Sequence, residues 1–201
     1  MFYDAIIIRA AKGFFMKFHQ TFFGLLAIAV LAVILTSVGV NVQGTPFEQS
    51  LTISSGYKHI SDPEGKSWDV QFEYPVNSTF SGVVRHTSRW HDDTVPFMSH
   101  DILVTTGDFA DADLVRTSVS NHHFRWRADE QPAGSINLLH IFPATEEIYD
   151  QLNQIEEWDQ VSITGREILK INRFDANGEK LGYWTDTGCN SILVTSVKVE
   201  P

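Results

Sequence analysis

The chain has 201 residues, of which 43% are hydrophobic and 20% charged, and its formal net charge is −10. This composition excludes disordered, collagen-like and mucin-like chains. A single cysteine also excludes an intramolecular disulfide framework, so the fold must be stabilised by a hydrophobic core.

The first predicted element is a membrane-spanning helix. Nineteen consecutive uncharged, mostly apolar residues run from Phe22 to Val40, and at about 1.5 Å per residue they reach about 29 Å, close to the thickness of a bilayer's hydrocarbon core. Arg9, Lys12 and Lys17 precede this run, which places the N-terminus in the cytoplasm. We expect a cytoplasmic segment over 1–21, a transmembrane helix over 22–42, a linker over 43–50 and an extracytoplasmic β-rich domain over 51–201.

Two alternatives concern the beginning of the chain. Ser37-Val38-Gly39 offers small residues at a spacing suitable for signal-peptide cleavage, although the apolar run is longer than a typical signal core. Met16 followed by Lys17 is an alternative start. Either choice leaves the domain over 51–201 outside the cytoplasm.

The charge balance predicts the class of partner. Beyond residue 21 the chain keeps 12 of its 15 basic residues and 24 of its 25 acidic residues. Nucleic acids and anionic membrane surfaces are bound through basic clusters, so the sequence predicts no nucleic-acid partner. We expect envelope proteins or self-association, in addition to the membrane that holds the anchor.

The domain is predicted to be mainly β, because apolar and polar residues alternate at Trp68, Val70 and Phe72 and again at Phe124 and Trp126. Further strands are predicted over 51–57, 80–87, 101–106, 113–120, 135–142, 160–171 and 190–199. Between Pro143 and Trp158 the period changes to that of an amphipathic helix. Thr145 is its predicted N-cap, and Ile148, Leu152 and Ile155 share one face.

The segment 158–174 predicts the topology. Its alternation slips by one residue around Gly165, which predicts a β-bulge there, and Asn177-Gly178 then predicts a hairpin turn toward Leu181–Trp184. A bent strand, a hairpin and one helix after several short strands favour an OB-like β-barrel, with a β-sandwich as the alternative.

A resemblance rests on four short segments, which are Trp90-His91-Asp92-Asp93, Asp101–Val104 continuing to Gly107-Asp108, Ser135–Asn137 with His140–Ala144, and Asp186–Cys189. Over residues 85–199 this pattern resembles a group of uncharacterised bacterial membrane-anchored envelope proteins. The resemblance implies a location in the bacterial inner membrane and an OB-like extracytoplasmic domain, and it implies no activity. The candidate binding residues are Trp90, His91, Asp92, Asp93, Asn137, His140 and Asp186.

Histidines are concentrated in one part of the chain. Six of the eight lie between residues 86 and 140, accompanied by Asp92, Asp93 and Asp101. Imidazole and carboxylate groups are suitable zinc ligands, but the spacing matches no metal motif, and on one strand His122 and His123 would point to opposite faces. We therefore expect structural or surface histidines and assign no metal. A metal site and pH sensing by imidazole are the alternatives.

Other motifs predict no catalytic residue. Asp186-Thr187-Gly188 is typical of a turn, because the residues around it do not fit an aspartic protease. Cys189 has no base assigned to it by the sequence, and we find no nucleotide, zinc-protease or hydrolase motif, so no cofactor is expected. The predicted function is an anchored extracytoplasmic binding or assembly module, which contacts proteins through 89–100 and 135–144. The alternatives are a metal-dependent hydrolase using His91, His140 and nearby Asp residues, and an oligosaccharide-binding barrel that stacks sugars on Trp90.

Overall fold

The computed structural model describes residues 51–90, 93–185 and 188–200. In these ranges the chain is mainly β and has a single α-helix, which confirms the predicted fold class at that level. No helix among the described residues is long and apolar enough to cross a membrane. The predicted transmembrane helix over 22–42 and the segments 1–21 and 43–50 lie outside the described residues.

The strands are, in chain order, β1 (Thr52–Ser54), β2 (His59–Ser61), β3 (Ser67–Phe72), β4 (Ser78–Arg89), β5 (His100–Thr105), β6 (Arg116–Ser120), β7 (His123–Arg127), β8 (Ile136–Pro143), β9 (Gln160–Phe174), β10 (Lys180–Trp184) and β11 (Asn190–Glu200). The helix α1 spans Glu146–Leu152, between β8 and β9. The prediction of one strand over 51–57 is wrong. The backbone of Ser55, Gly56 and Tyr57 has positive φ, so the chain turns there and returns as β2.

Five of the strands form a closed ring. β4 pairs with β5, β5 with β8, β8 with β11, β11 with β9, and β9 pairs with β4 again. The β8–β11 pair is parallel and the others are antiparallel. A closed ring of strands is a barrel, whereas a β-sandwich has two separate facing sheets.

The barrel interior is apolar. Its core combines inward residues of the five strands with one face of the helix and with Ile155, which follows the helix. Its members are Val84, Ile102, Val104, Leu139, Ile141, Ile148, Leu152, Ile155, Val161, Ile163, Ile192 and Val194. The helix begins as predicted, because the Thr145 side chain accepts a hydrogen bond from the backbone N–H of Ile148.

A second core lies against the other face of the barrel strands. Phe142 and Leu193 follow the inward residues Ile141 and Ile192 along their strands, and therefore point away from the barrel interior. Both belong to a cluster with Trp68, from β3, and Phe97, from the β4–β5 connection. The outer face of β8 and β11 is thus also buried.

The predicted bulge at Gly165 is right in part, because the register of β9 and β11 shifts beside Gly165, but the extra residue lies on β11 and not on β9. Leu169 is an extra residue of β9 in its pairing with β3, and Thr195 is an extra residue of β11 in its pairing with β9. Gly165 has a different role, since a Cβ there would collide with the carbonyl oxygen of Leu193 on the neighbouring strand. The predicted turn at Asn177-Gly178 is confirmed, and Gly178 has a φ of 79°.

Candidate functional site

The outer face of β5 and β8 carries a buried polar pair. Asp101 on β5 and His140 on β8 are directly opposite each other in the antiparallel register. The Nδ1 atom of His140 lies 2.7 Å from the Oδ1 atom of Asp101, and both side chains are 4% exposed. Their neighbours in sequence, Ile102 and Ile141, point to the barrel core, so the alternation of the strands places the polar pair on the opposite face.

A third polar side chain reaches this pair from outside the barrel. The hairpin of β6 and β7 lies in the long connection between β5 and β8, and Asn121 and His122 form its two-residue turn with φ values of 50° and 60°. Positive φ at both positions matches the tight hairpin turn in which asparagine is favoured. The Nδ1 atom of His122 lies 2.7 Å from the Oδ2 atom of Asp101. Each carboxylate oxygen of Asp101 therefore faces a different imidazole.

Aromatic rings surround the two imidazoles. The ring centroid of Trp90 lies 3.7 Å from that of His122, and the centroid of Trp184 lies 5.9 Å from that of His140. The Sγ atom of Cys189 lies 3.6 Å from the backbone oxygen of His122 and donates to it. This shell keeps the centre partly dry, which strengthens electrostatic interactions inside it.

Not all the predicted binding residues lie at this centre. His140 belongs to it, and Trp90 contributes to its wall as a half-buried side chain. Asn137 lies near the start of β8, where its Oδ1 atom accepts a 3.5 Å hydrogen bond from the side-chain Nδ2 of Asn190. Asp93 is exposed. The predicted residues that lie outside the described part of the chain are His91, Asp92 and Asp186.

The histidines that cluster in sequence do not gather in space as a whole. His100 lies next to Asp101 but hydrogen-bonds to the side chains of Ser99 and Asn153, and burial lowers its pKa to about 4. His86 lies 3.7 Å from Glu157, and His123 is exposed at the start of β7. The sequence-based reading that placed His122 on a strand is wrong, because His122 occupies the hairpin turn.

Much of the two segments predicted to contact proteins is buried in the described part of the chain, although Arg89, Asp93 and Ser135 are exposed. From Val95 to His100 and from Leu138 to Pro143 every residue is buried. Trp90 packs against the second core and against His122, so its ring does not offer the open stacking face expected for a sugar. Trp126 is 42% exposed and packs edge-on against Phe109.

The chain is similar in fold to a solved structure. No protein-family model and no curated protein matches the chain. Among solved structures, the chain is similar to the mitochondrial single-stranded DNA binding protein Rim1 from S. cerevisiae, with a TM-score of 0.27 and 9% sequence identity, over 64% of this chain and 95% of that one.

The prediction that excluded nucleic acid as a partner is corrected, because the charge balance on which it rests does not exclude such a partner. An acidic net charge describes the average surface and does not rule out a local binding face. At this TM-score and identity, the likeness assigns no ligand to this chain.

Proposed function

We propose that this protein is a binding and assembly module of a bacterial envelope, anchored in the inner membrane by a single helix over 22–42. The support is the apolar run from Phe22 to Val40, preceded by three basic residues and followed by a strongly acidic region. On this account the β domain works outside the cytoplasm, where it recruits a protein partner.

The domain is, on this proposal, an OB-like barrel. Its support is the strand order, in which the third and fifth barrel strands, β8 and β11, run parallel and helix α1 lies between the third and fourth, β8 and β9. OB barrels bind ligands on the face of their second and third strands and through the adjoining loops. In this chain every residue of β5 is buried, so by this fold-level analogy the adjoining loops, and not the strand face, are left for a ligand.

The observation that carries the protein-binding function is the edge strand β10. Among the described strands it pairs only with β9. Leu181 and Tyr183 on this strand are 55% and 61% exposed, and Lys170 stands over the Tyr183 ring at 4.3 Å. An unpaired strand edge with large exposed side chains can receive a strand from another chain, with backbone hydrogen bonds supplying affinity.

The experiment places a photo-crosslinking amino acid at position 183 of the full-length chain in native membranes. A matched control carries it at position 76, where Val76 is 67% exposed in the loop before β4. We expect a discrete crosslinked species from position 183 and none from position 76. The double variant Leu181→Lys/Tyr183→Lys should lose the co-purified partner, because added charge on an edge strand opposes strand pairing. A monodisperse monomer in mild detergent, without a crosslink at 183, would contradict the proposal.

A further inference from the structure

We propose that Asp101, His122 and His140 form a binding site for a divalent transition-metal ion, with zinc as its reference ion. The three residues come from β5, the β6–β7 turn and β8. One ligand atom from each lies within 4.8 Å of the others. This inference is independent of the edge strand and of the proposed protein partner.

The donor atoms define the class of ion. Two imidazole nitrogens and one carboxylate oxygen are the ligands that zinc and neighbouring first-row ions accept, whereas magnesium and calcium prefer oxygen alone. Three protein ligands also leave one position of a tetrahedral ion for water or another group. The site is therefore predicted to discriminate strongly against magnesium.

The His122 nitrogen is the observation that distinguishes this centre from an ordinary ion pair. Its Nδ1 atom is 2.7 Å from the Asp101 carboxylate, yet it is buried and has no hydrogen-bond partner in the described part of the chain. Buried polar atoms are almost always satisfied, and an unsatisfied one calls for a specific explanation such as a bound ion. A cation coordinated by both Nδ1 and the carboxylate would satisfy both groups.

Burial and access also suit a metal. Asp101 and His140 are 4% exposed, while His122 is 24% exposed, so an ion can reach the ligands from the His122 side. His140 and Asp101 are held by adjacent strands of the barrel. The third ligand, His122, comes from the β6–β7 hairpin turn. A bound ion would therefore connect this hairpin to the barrel.

The alternative is a metal-free arrangement in which Asp101 simply pairs with two imidazoles. The two readings differ in what His122 contributes. If His122 is a metal ligand, the protein binds one zinc ion at a defined stoichiometry and needs the His122 imidazole to do so. If the centre is metal-free, the His122 imidazole gives the protein no affinity for zinc.

The test uses the untagged full-length chain in mild detergent, stripped with a chelator and titrated with zinc against a chromophoric competitor. We expect one equivalent of zinc to bind, with no competition from magnesium. We expect His122→Gln to weaken binding by at least about 10-fold, the lower range for loss of a residue that supports a metal site. His123→Gln is the matched control, because His123 is the neighbouring residue and is exposed, and it should leave the affinity unchanged.

Cobalt provides a readout that does not depend on any variant. Loading the stripped wild-type chain with Co²⁺ should give the visible absorption bands of a low-coordinate site, and zinc should abolish them. Binding of less than about a tenth of an equivalent of zinc, with no cobalt bands, would overturn the proposal. Equal affinities of His122→Gln and His123→Gln would also overturn it, with tryptophan fluorescence verifying that both are folded. If His122→Gln does not fold, the wild-type titration and the cobalt spectrum decide.

Discussion

His140 and Asp101 pair across β5 and β8, and His59 and Asp69 pair across β2 and β3. Both pairs are direct cross-strand neighbours in antiparallel register, and their Nδ1–Oδ1 distances are 2.7 and 2.8 Å. Their surroundings differ, because the first pair is 4% exposed and the second is 48% exposed. The same two side chains at the same distance therefore form a buried centre in one place and a solvated surface contact in the other.

The comparison teaches that burial, and not contact distance, gives such a pair its consequences. Near the surface, water screens the interaction, and the pair contributes little to stability. In the interior, each partner has lost its water, so that removing either one leaves the other unsatisfied. The buried pair also has a third member, His122, whereas the surface pair has none among the described residues.

The largest expected effect comes from breaking the buried pair. Asp101→Ala should lower the free energy of unfolding of the metal-free chain by about 3–5 kcal/mol, since it leaves His140 buried without this carboxylate. Denaturant unfolding followed by tryptophan fluorescence measures it, because all five tryptophans lie within residues 68–184. A loss no greater than that of Asp69→Ala would remove the distinction between the two pairs.

His100 gives the next effect and links burial to pH. Burial lowers the pKa of His100 to about 4, from 6.5, so the unfolded chain binds a proton between these pH values while the folded chain does not. The stability associated with neutral His100 is therefore complete above pH 6.5 and decreases as the pH falls toward 4, by about 3 kcal/mol in total. Unfolding free energies of wild type and His100→Gln, compared across this range, measure it. The variant should lose less stability, and parallel curves for the two proteins would contradict the prediction.

Metal removal should give a somewhat smaller effect. Zinc that binds only the folded chain stabilises it by about 2.7 kcal/mol when free zinc exceeds the Kd by 100-fold. Adding a chelator to the zinc-loaded wild type should lower its melting temperature, and the same addition to His122→Gln should lower it less. Equal shifts in the two proteins would mean that the ion stabilises the chain elsewhere.

The smallest effect belongs to the surface pair. Asp69→Ala should cost less than about 1 kcal/mol, because both partners are about half exposed and screened by water. The double-mutant cycle of His59→Gln and Asp69→Asn measures the coupling free energy directly. A coupling as large as that of His140→Gln and Asp101→Asn would show that burial does not separate the two pairs.

Local features of this fold could be predicted from the sequence. Apolar alternation identifies the strands around Trp68 and Val70, the spacing of Ile148 and Leu152 identifies the helix, and Asn177-Gly178 identifies a turn. Each of these signals depends on residues close together along the chain. The position of a bulge depends also on the neighbouring strand. Gly165 allows β9 to approach β11 closely, while the extra residues are Leu169 and Thr195.

The centre at Asp101 could not be predicted in the same way. Its members are separated by up to 39 residues, and they meet only because the register places Asp101 opposite His140. The one local signal for His122 is the pair Asn121-His122 between two short alternating segments, which is typical of a two-residue hairpin turn. Reading His122 and His123 as strand residues concealed that signal.

X-ray absorption at the zinc edge of the loaded full-length chain tests the proposed metal centre most directly. We expect a single zinc environment with two imidazole nitrogens and oxygen ligands at about 2.0–2.2 Å, and loss of one imidazole from the spectrum of any zinc retained by His122→Gln. A spectrum with only water oxygens around zinc, or with sulfur as a ligand, would contradict the assignment of Asp101, His122 and His140.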